Sequence, residues 1–295
     1  MTKRRGRGVD FNHRFATSRW AEDLLAMALN THPTGLCCTR LGLSQISEDG
    51  DPLDDDTDVK EPDLLVFERA VLTSADFDLL AHTDLTTLRA SQIQSDAALM
   101  KILRKACAAI EVEFSPYQAA EMNGRNWKPR TQADFDRRAY KHANPPVAPN
   151  IWVKLEDLPR LQRWQQRFGV PIAIAHLFDQ EAFAVDLRTI VDFEDSFPSD
   201  PQVQRELQLR SGIFRKLQSY DRVDAQGAGE KKIVFVVTPS AALKVGDITG
   251  VNVSAQLGLS RSKKYVAQII FEDGKFSLDQ AFIAHLRQMR GDVRN

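Results

Sequence analysis

Three carboxylates carry the chemistry this sequence offers most directly. Asp63 follows Pro62 and opens the apolar run Leu64-Leu65-Val66-Phe67. Glu111 and Glu113 alternate with Ile110, Val112 and Phe114 in a second run that begins at Ala108. Strand interiors are depleted in acids, and residues two apart in a strand share a face. With the apolar face on a core, Glu111 and Glu113 look together into a cleft. Asp63 then adds a third hard oxygen donor. Such a set suits Mg²⁺, an ion able to polarise a phosphodiester, activate water and stabilise a leaving 3′ oxygen. The plainer alternative is a half-exposed strand with a wet acidic face.

The elements that must position these groups follow from pattern. Trp20, Leu24, Leu25, Met27 and Ala28 share a helical face, with Thr17 or Ser18 as cap and Pro33 and Gly35 past the end. Residues 46–61 read as an exposed acidic loop. Residues 62–68 and 108–114 read as strands, with helical sequence over 74–106 between them. Asp63 and Glu111 are 48 positions apart, so this helical stretch is an insertion between the two strands. Residues 117–149 form a long polar and basic connection, of the kind that is often functional. A strand at 150–154, a helix at 156–168 ending at Gly169 and a buried strand at 170–178 suggest a crossover unit. A partner strand follows at 182–187. Beyond Pro198 the pattern predicts a helix over 201–219, strands at 233–237 and 265–271 with Gly- and Ser-rich loops between them, and a final helix over 277–290.

Composition bounds the rest. The chain has 295 residues, 43% apolar and 27% charged, with 39 basic against 40 acidic side chains. That is an ordinary globular balance and excludes general disorder. No run approaches the roughly 20 apolar residues of a membrane span. The basic start, residues 1–7, leads into no apolar segment of a signal peptide. Cys37, Cys38 and Cys107 lack zinc spacing and read as structural thiols of a reduced, cytoplasmic protein. The neutral total hides segregation. Residues 1–19 hold six basic side chains against one acid, residues 48–63 nine acids against Lys60 alone, and residues 210–295 fourteen basic against eight acidic. A polyanion responds to the local field, so two basic ends keep nucleic acid in view as a partner.

The Pro62-Asp63 and Glu111-Val112-Glu113 pair resembles the PD-(D/E)xK nucleases, in which acids on adjacent strands hold metal and a Lys two residues on assists the attacking water. Here Glu113 stands where that Lys belongs. The resemblance extends to Phe15-Ala16-Thr17-Ser18-Arg19-Trp20-Ala21-Glu22, to Trp127-Lys128-Pro129, to Ile151-Trp152-Val153-Lys154 and to Val170-Pro171-Ile172. In these the chain looks like type II restriction endonucleases of the AccI-like group, over about residues 15–190. The resemblance implies an α/β fold: a central mixed β-sheet flanked by helices, a restriction-endonuclease-like core, with an additional α+β C-terminal region. The expected organisation is a basic arm at 1–14, a nuclease core at 15–197 and the C-terminal region at 198–295, serving DNA recognition or dimerisation.

The resemblance also implies Mg²⁺-dependent, sequence-specific cleavage of double-stranded DNA by a homodimer in a prokaryotic cytoplasm. A cognate DNA methyltransferase would act on the same site. Asp63 and Glu111 are the expected metal ligands, with Glu22 as accessory ligand or solvated helix acid. Either Glu113 or a Lys from elsewhere, such as Lys128, would position the water. Contacts to DNA fall to Arg125, Asn126, Lys128, Arg130, Arg137, Arg138 and Lys141, with Trp127 and Tyr140 interleaved, and to Arg261, Lys263 and Lys264. Lys128 reads equally as an ordinary loop charge, and His142, which could meet a phosphate, reads more readily as exposed surface. His176 reads as a satisfied core histidine. Another nuclease of the superfamily, acting in repair or recombination, and a DNA-binding protein with a decayed site are the alternatives.

Overall fold

The computed structural model describes residues 9–31, 33–41, 59–115, 151–223, 229–259 and 265–292. Helix α1 (Val9–Thr31) begins well ahead of the expected cap at Thr17 or Ser18. Ala21, Leu24, Leu25, Ala28 and Leu29 recur at helical spacing and are buried. Asn30 ties the helix end to strand β1 (Leu36–Arg40): its amide donates to the Cys38 carbonyl at 3.1 Å, and its Oδ1 accepts the Cys38 N–H at 2.9 Å.

β1 pairs antiparallel with β2 (Leu64–Glu68), and β2 antiparallel with β3 (Ala108–Phe114). Helices α2 (Ser74–His82), α3 (Ala90–Ser95) and α4 (Ala97–Leu103) fill the expected insertion between β2 and β3. Strand β4 (Ile151–Lys154) is followed by a 3₁₀ turn, Leu155–Asp157, and by α5 (Leu158–Phe168). The chain then enters β5 (Ile172–Leu177), which pairs parallel with β3, Glu111 opposite Ile174 and Glu113 opposite His176. The crossover therefore joins β3 to β5. The anticipated start of that unit, β4, belongs to another sheet. β6 (Glu181–Asp186) returns antiparallel to β5 and leads into α6 (Leu187–Asp195).

The C-terminal third departs most from expectation. Helix α7 (Pro201–Ser211) stops where the pattern predicted continuation to 219, and β7 (Ile213–Val223) and β8 (Gly229–Val237) form a hairpin. Gly212 makes the break. Its φ is 70°, its N–H bonds the Gln208 carbonyl at 3.0 Å, and a Cβ there would stand 2.7 Å from Thr238 Oγ1. The predicted loop before residue 265 is largely strand β9 (Leu243–Leu259), paired along β10 (Tyr265–Leu278). The last helix, α8 (Gln280–Asp292), starts later than predicted because Ser277 and Leu278 still pair with β9.

Among the described residues, the main sheet runs β1-β2-β3-β5-β6-β9-β10 and a second sheet runs β4-β8-β7. Residues beyond 198 supply strands to both, so the sheets cross the boundary expected there. The architecture is α/β, a mixed sheet flanked by helices. Leu64, Val66, Ala108, Ile110 and Ala173 face α1 and α8 on one side. Leu65, Phe67, Ala109, Ile172 and Ile174 face α5 and the second sheet on the other. Each fully buried Leu or Phe contributes about 1.5–3 kcal/mol. No helix among the described residues is long and apolar enough to cross a membrane.

Candidate functional site

The alternation of β3 that buries Ile110 and Val112 toward α1 turns Glu111 toward α5 and the second sheet. Glu111 is 5% exposed, the depth of a core residue. Asp63 precedes β2 by one position, on the same face as Leu65 and next to Glu111 in the continued register. Its backbone carbonyl accepts the Leu41 N–H at 2.8 Å, and its carboxylate Oδ2 accepts the Val112 N–H at 2.6 Å. The side chain thus supplies the hydrogen bond that the β2 backbone no longer offers.

Lys60, which was not among the expected site residues, completes the group. Its Nζ lies 2.6 Å from Glu111 Oε1 and 3.1 Å from Asp157 Oδ2. Asp157 stands at the end of the 3₁₀ turn that opens α5. The Lys60 backbone is fastened to the same helix, its N–H donating to the Arg160 carbonyl at 3.3 Å. Lys154 Nζ approaches Asp157 from the other side at 3.9 Å. One signal in the sequence pointed to Lys60: it is the single base in an acidic run, three positions before Asp63.

Burial and mutual repulsion dominate the electrostatics. Burial, then the charges of Glu111 and Glu22, raise the Asp63 carboxyl well above its ordinary value, against the Val112 N–H and Lys60. Burial pushes Glu111 up to about 7; Lys60 opposes this, and Glu113 and Asp157 reinforce it. Burial works against the Lys60 charge, but Glu111, Asp157 and Glu113 outweigh it and hold the amine protonated above the usual lysine range. Glu22, on α1, is raised by burial and restrained by Arg40, whose Nη1 is 3.8 Å away, and by Arg19.

Asp63 thus lies within electrostatic reach of Glu111 and of Glu22, and Glu111 within reach of Glu113. Lys60, Asp157 and Arg40 join them. Among the described residues no group of three or more acid, imidazole or thiol side chains is arranged to hold a metal ion. The donor set still fits a hard divalent ion. Glu111 Oε2 is buried without a hydrogen-bond partner, and Mg²⁺ is commonly held by one or two carboxylates with water and phosphate completing its shell. Asp63 and Glu111 would hold it. Lys128, Arg125, Asn126, Arg130, Arg137, Arg138, Lys141, His142, Arg261, Lys263 and Lys264 lie outside the described residues.

His176 lies opposite Glu113 in the β3–β5 ladder. It is buried and stacked on Phe178 with ring centroids 4.8 Å apart. Nδ1 accepts the Trp152 N–H at 3.4 Å, but Nε2 has no partner, so the histidine is only half satisfied, contrary to expectation. Burial lowers its pKa to about 3 and keeps the ring neutral. The cysteines are free thiols, Cys37 and Cys107 buried.

No protein-family model matches the sequence, and no curated protein and no solved structure matches it.

Proposed function

We propose that this chain is a Mg²⁺-dependent endonuclease acting on double-stranded DNA, in the manner of type II restriction enzymes. One observation carries the reading: a buried carboxylate on β3, Glu111, meets an ammonium, Lys60, and both lie within electrostatic reach of the carboxylate at the head of β2. The motif of the nucleases it resembles has a lysine where this chain has Glu113, and that departure favours a decayed, binding-only protein. A lysine amine 2.6 Å from Glu111 weakens that alternative.

In this reading Asp63 and Glu111 hold the metal ion. The ion, when bound, polarises the scissile phosphate and offsets charge on the leaving 3′ oxygen. Lys60 keeps a protonated donor at the phosphate. Glu113, partly exposed at the outer end of β3, accepts the proton of the attacking water. A homodimer would present two such sites to a two-fold symmetric sequence.

The test is digestion of defined plasmid DNA with Mg²⁺, with EDTA, and with Asp63→Ala and Glu111→Ala. Discrete fragments lost under EDTA and in both variants support a site-specific nuclease, and the fragment ends give the site. Intact DNA under all conditions overturns the reading.

A further inference from the structure

Glu111 is approached from one side only. Oε1 is taken by Lys60 and Oε2 is buried and unpartnered. A divalent cation arriving at Glu111 must therefore compete with the ammonium already there. In most surroundings a lysine displaced in this way would swing out to water. Here it has a second holder, since Nζ contacts Asp157 at 3.1 Å at the same time as Glu111. Asp157 comes from the turn before α5, away from the two strands that carry Asp63 and Glu111. The Lys60 backbone is tied to the same helix through the Arg160 carbonyl. The anchor and the second carboxylate thus belong to one rigid element, separate from the metal-bearing strands.

We propose that Lys60 is the resident counter-cation of the metal-free site and that Asp157 is a positioning residue, retaining the ammonium in the site when a divalent ion takes Glu111. The inference rests on the metal-dependent reading above and deepens it. Without a cation, Lys60 compensates a buried carboxylate that would otherwise stand alone, an arrangement costly to leave open. With a divalent ion bound, the same ammonium would repel it at close range unless Asp157 balanced it. Asp157 acts through Lys60, and its effect should vanish when the amine is removed.

A double-mutant cycle tests this on the full chain, read by calorimetric titration with Mg²⁺ and by thermal unfolding in EDTA. Lys60→Met is expected to tighten Mg²⁺ binding about tenfold and to lower the unfolding temperature of the metal-free protein. Asp157→Asn should weaken Mg²⁺ about fivefold in the native background and less than twofold beside Lys60→Met. Lys60→Gln keeps a hydrogen bond to Glu111 and replaces Lys60→Met should that variant not fold. Equal loss from Asp157→Asn in both backgrounds overturns the proposal and leaves the metal site standing, as does weaker binding after Lys60→Met. Absence of any Mg²⁺ titration in all the chains overturns the metal reading and this proposal with it.

Discussion

The Asp63 carboxylate closes the ladder between β2 and β3, its Oδ2 accepting the Val112 N–H at 2.6 Å. The residue is thus a strand terminator as well as a charge, and the two roles separate by substitution. Asparagine retains an acceptor oxygen for Val112 and removes the repulsion from Glu111 and Glu22. Asp63→Asn is therefore expected to unfold at or above the temperature of the native chain while losing DNA cleavage. Asp63→Ala leaves the buried Val112 N–H unpaired and should cost about 1–3 kcal/mol. Thermal unfolding beside a cleavage assay checks both.

What was legible in the sequence was local. Ile110, Val112 and Phe114 alternate with Glu111 and Glu113, and that alternation fixes both the strand and the face its acids occupy. Pro62-Asp63 before four apolar residues marks the head of β2. What escaped depends on partners distant in the chain. Leu36-Cys37-Cys38 is too short to announce a strand and becomes one by pairing with Val66 and Phe67. β9 carries Gly246, Gly250 and Gly258, which read as loop until the ladder to β10 is seen. Lys60 sits in an acidic run and looks like solvated surface. Only the approach of α5 and β3 buries it against Glu111 and Asp157.

Asp76 sets one part of the acid limb. Its carboxylate accepts the Thr73 N–H at 2.7 Å in a capping box at the start of α2, and it also meets Lys105. The Lys105 hydrogen bond, then those from Thr73, hold its pKa well below the ordinary aspartate value. A carboxylate depressed on folding stabilises fully above its unfolded pKa, about 4, and loses that contribution as pH falls further. Asp76→Asn should be less stable than the native chain at pH 7, with the difference narrowing below about pH 4. Urea midpoints across pH 3–7 read this directly.

His176 sets a different window. Its folded pKa, lowered by burial to about 3, lies below the ordinary histidine value of 6.5. Between these values the unfolded chain binds a proton that the folded chain refuses, so stability falls as pH drops from 6.5 toward 3. The slope from one such group approaches about 1.4 kcal/mol per pH unit. His176→Phe keeps the contact with Phe178 and removes the titration. Its stability curve should be flatter than that of the native chain between pH 6 and 4. An unchanged slope would place a proton on this ring in the folded state.

Trp20 couples the site to the β9–β10 hairpin. Its ring lies 5.5 Å from Phe114 and 5.4 Å from Phe271, and its Nε1–H donates to the Asp273 carbonyl at 2.8 Å. Phe114 follows Glu113 in β3, and Glu22 lies two positions beyond Trp20 on α1. One indole therefore holds together the helix, the carboxylate strand and the middle of β10. Asp273, with φ 59°, and Gly274, with φ 110°, lie within β10, whose pairing with β9 continues on both sides of them. Trp20→Ala opens space beside the Phe114 and Phe271 rings and frees the Asp273 carbonyl. It should cost about 3 kcal/mol, and cleavage should fall even well below the unfolding temperature, because Glu22 and Glu113 lose a common support. Trp20→Phe retains the ring contacts and loses only the Nε1–H bond, so most of the stability and cleavage should remain. Denaturant unfolding and cleavage rates measured on both variants separate ring packing from the hydrogen bond.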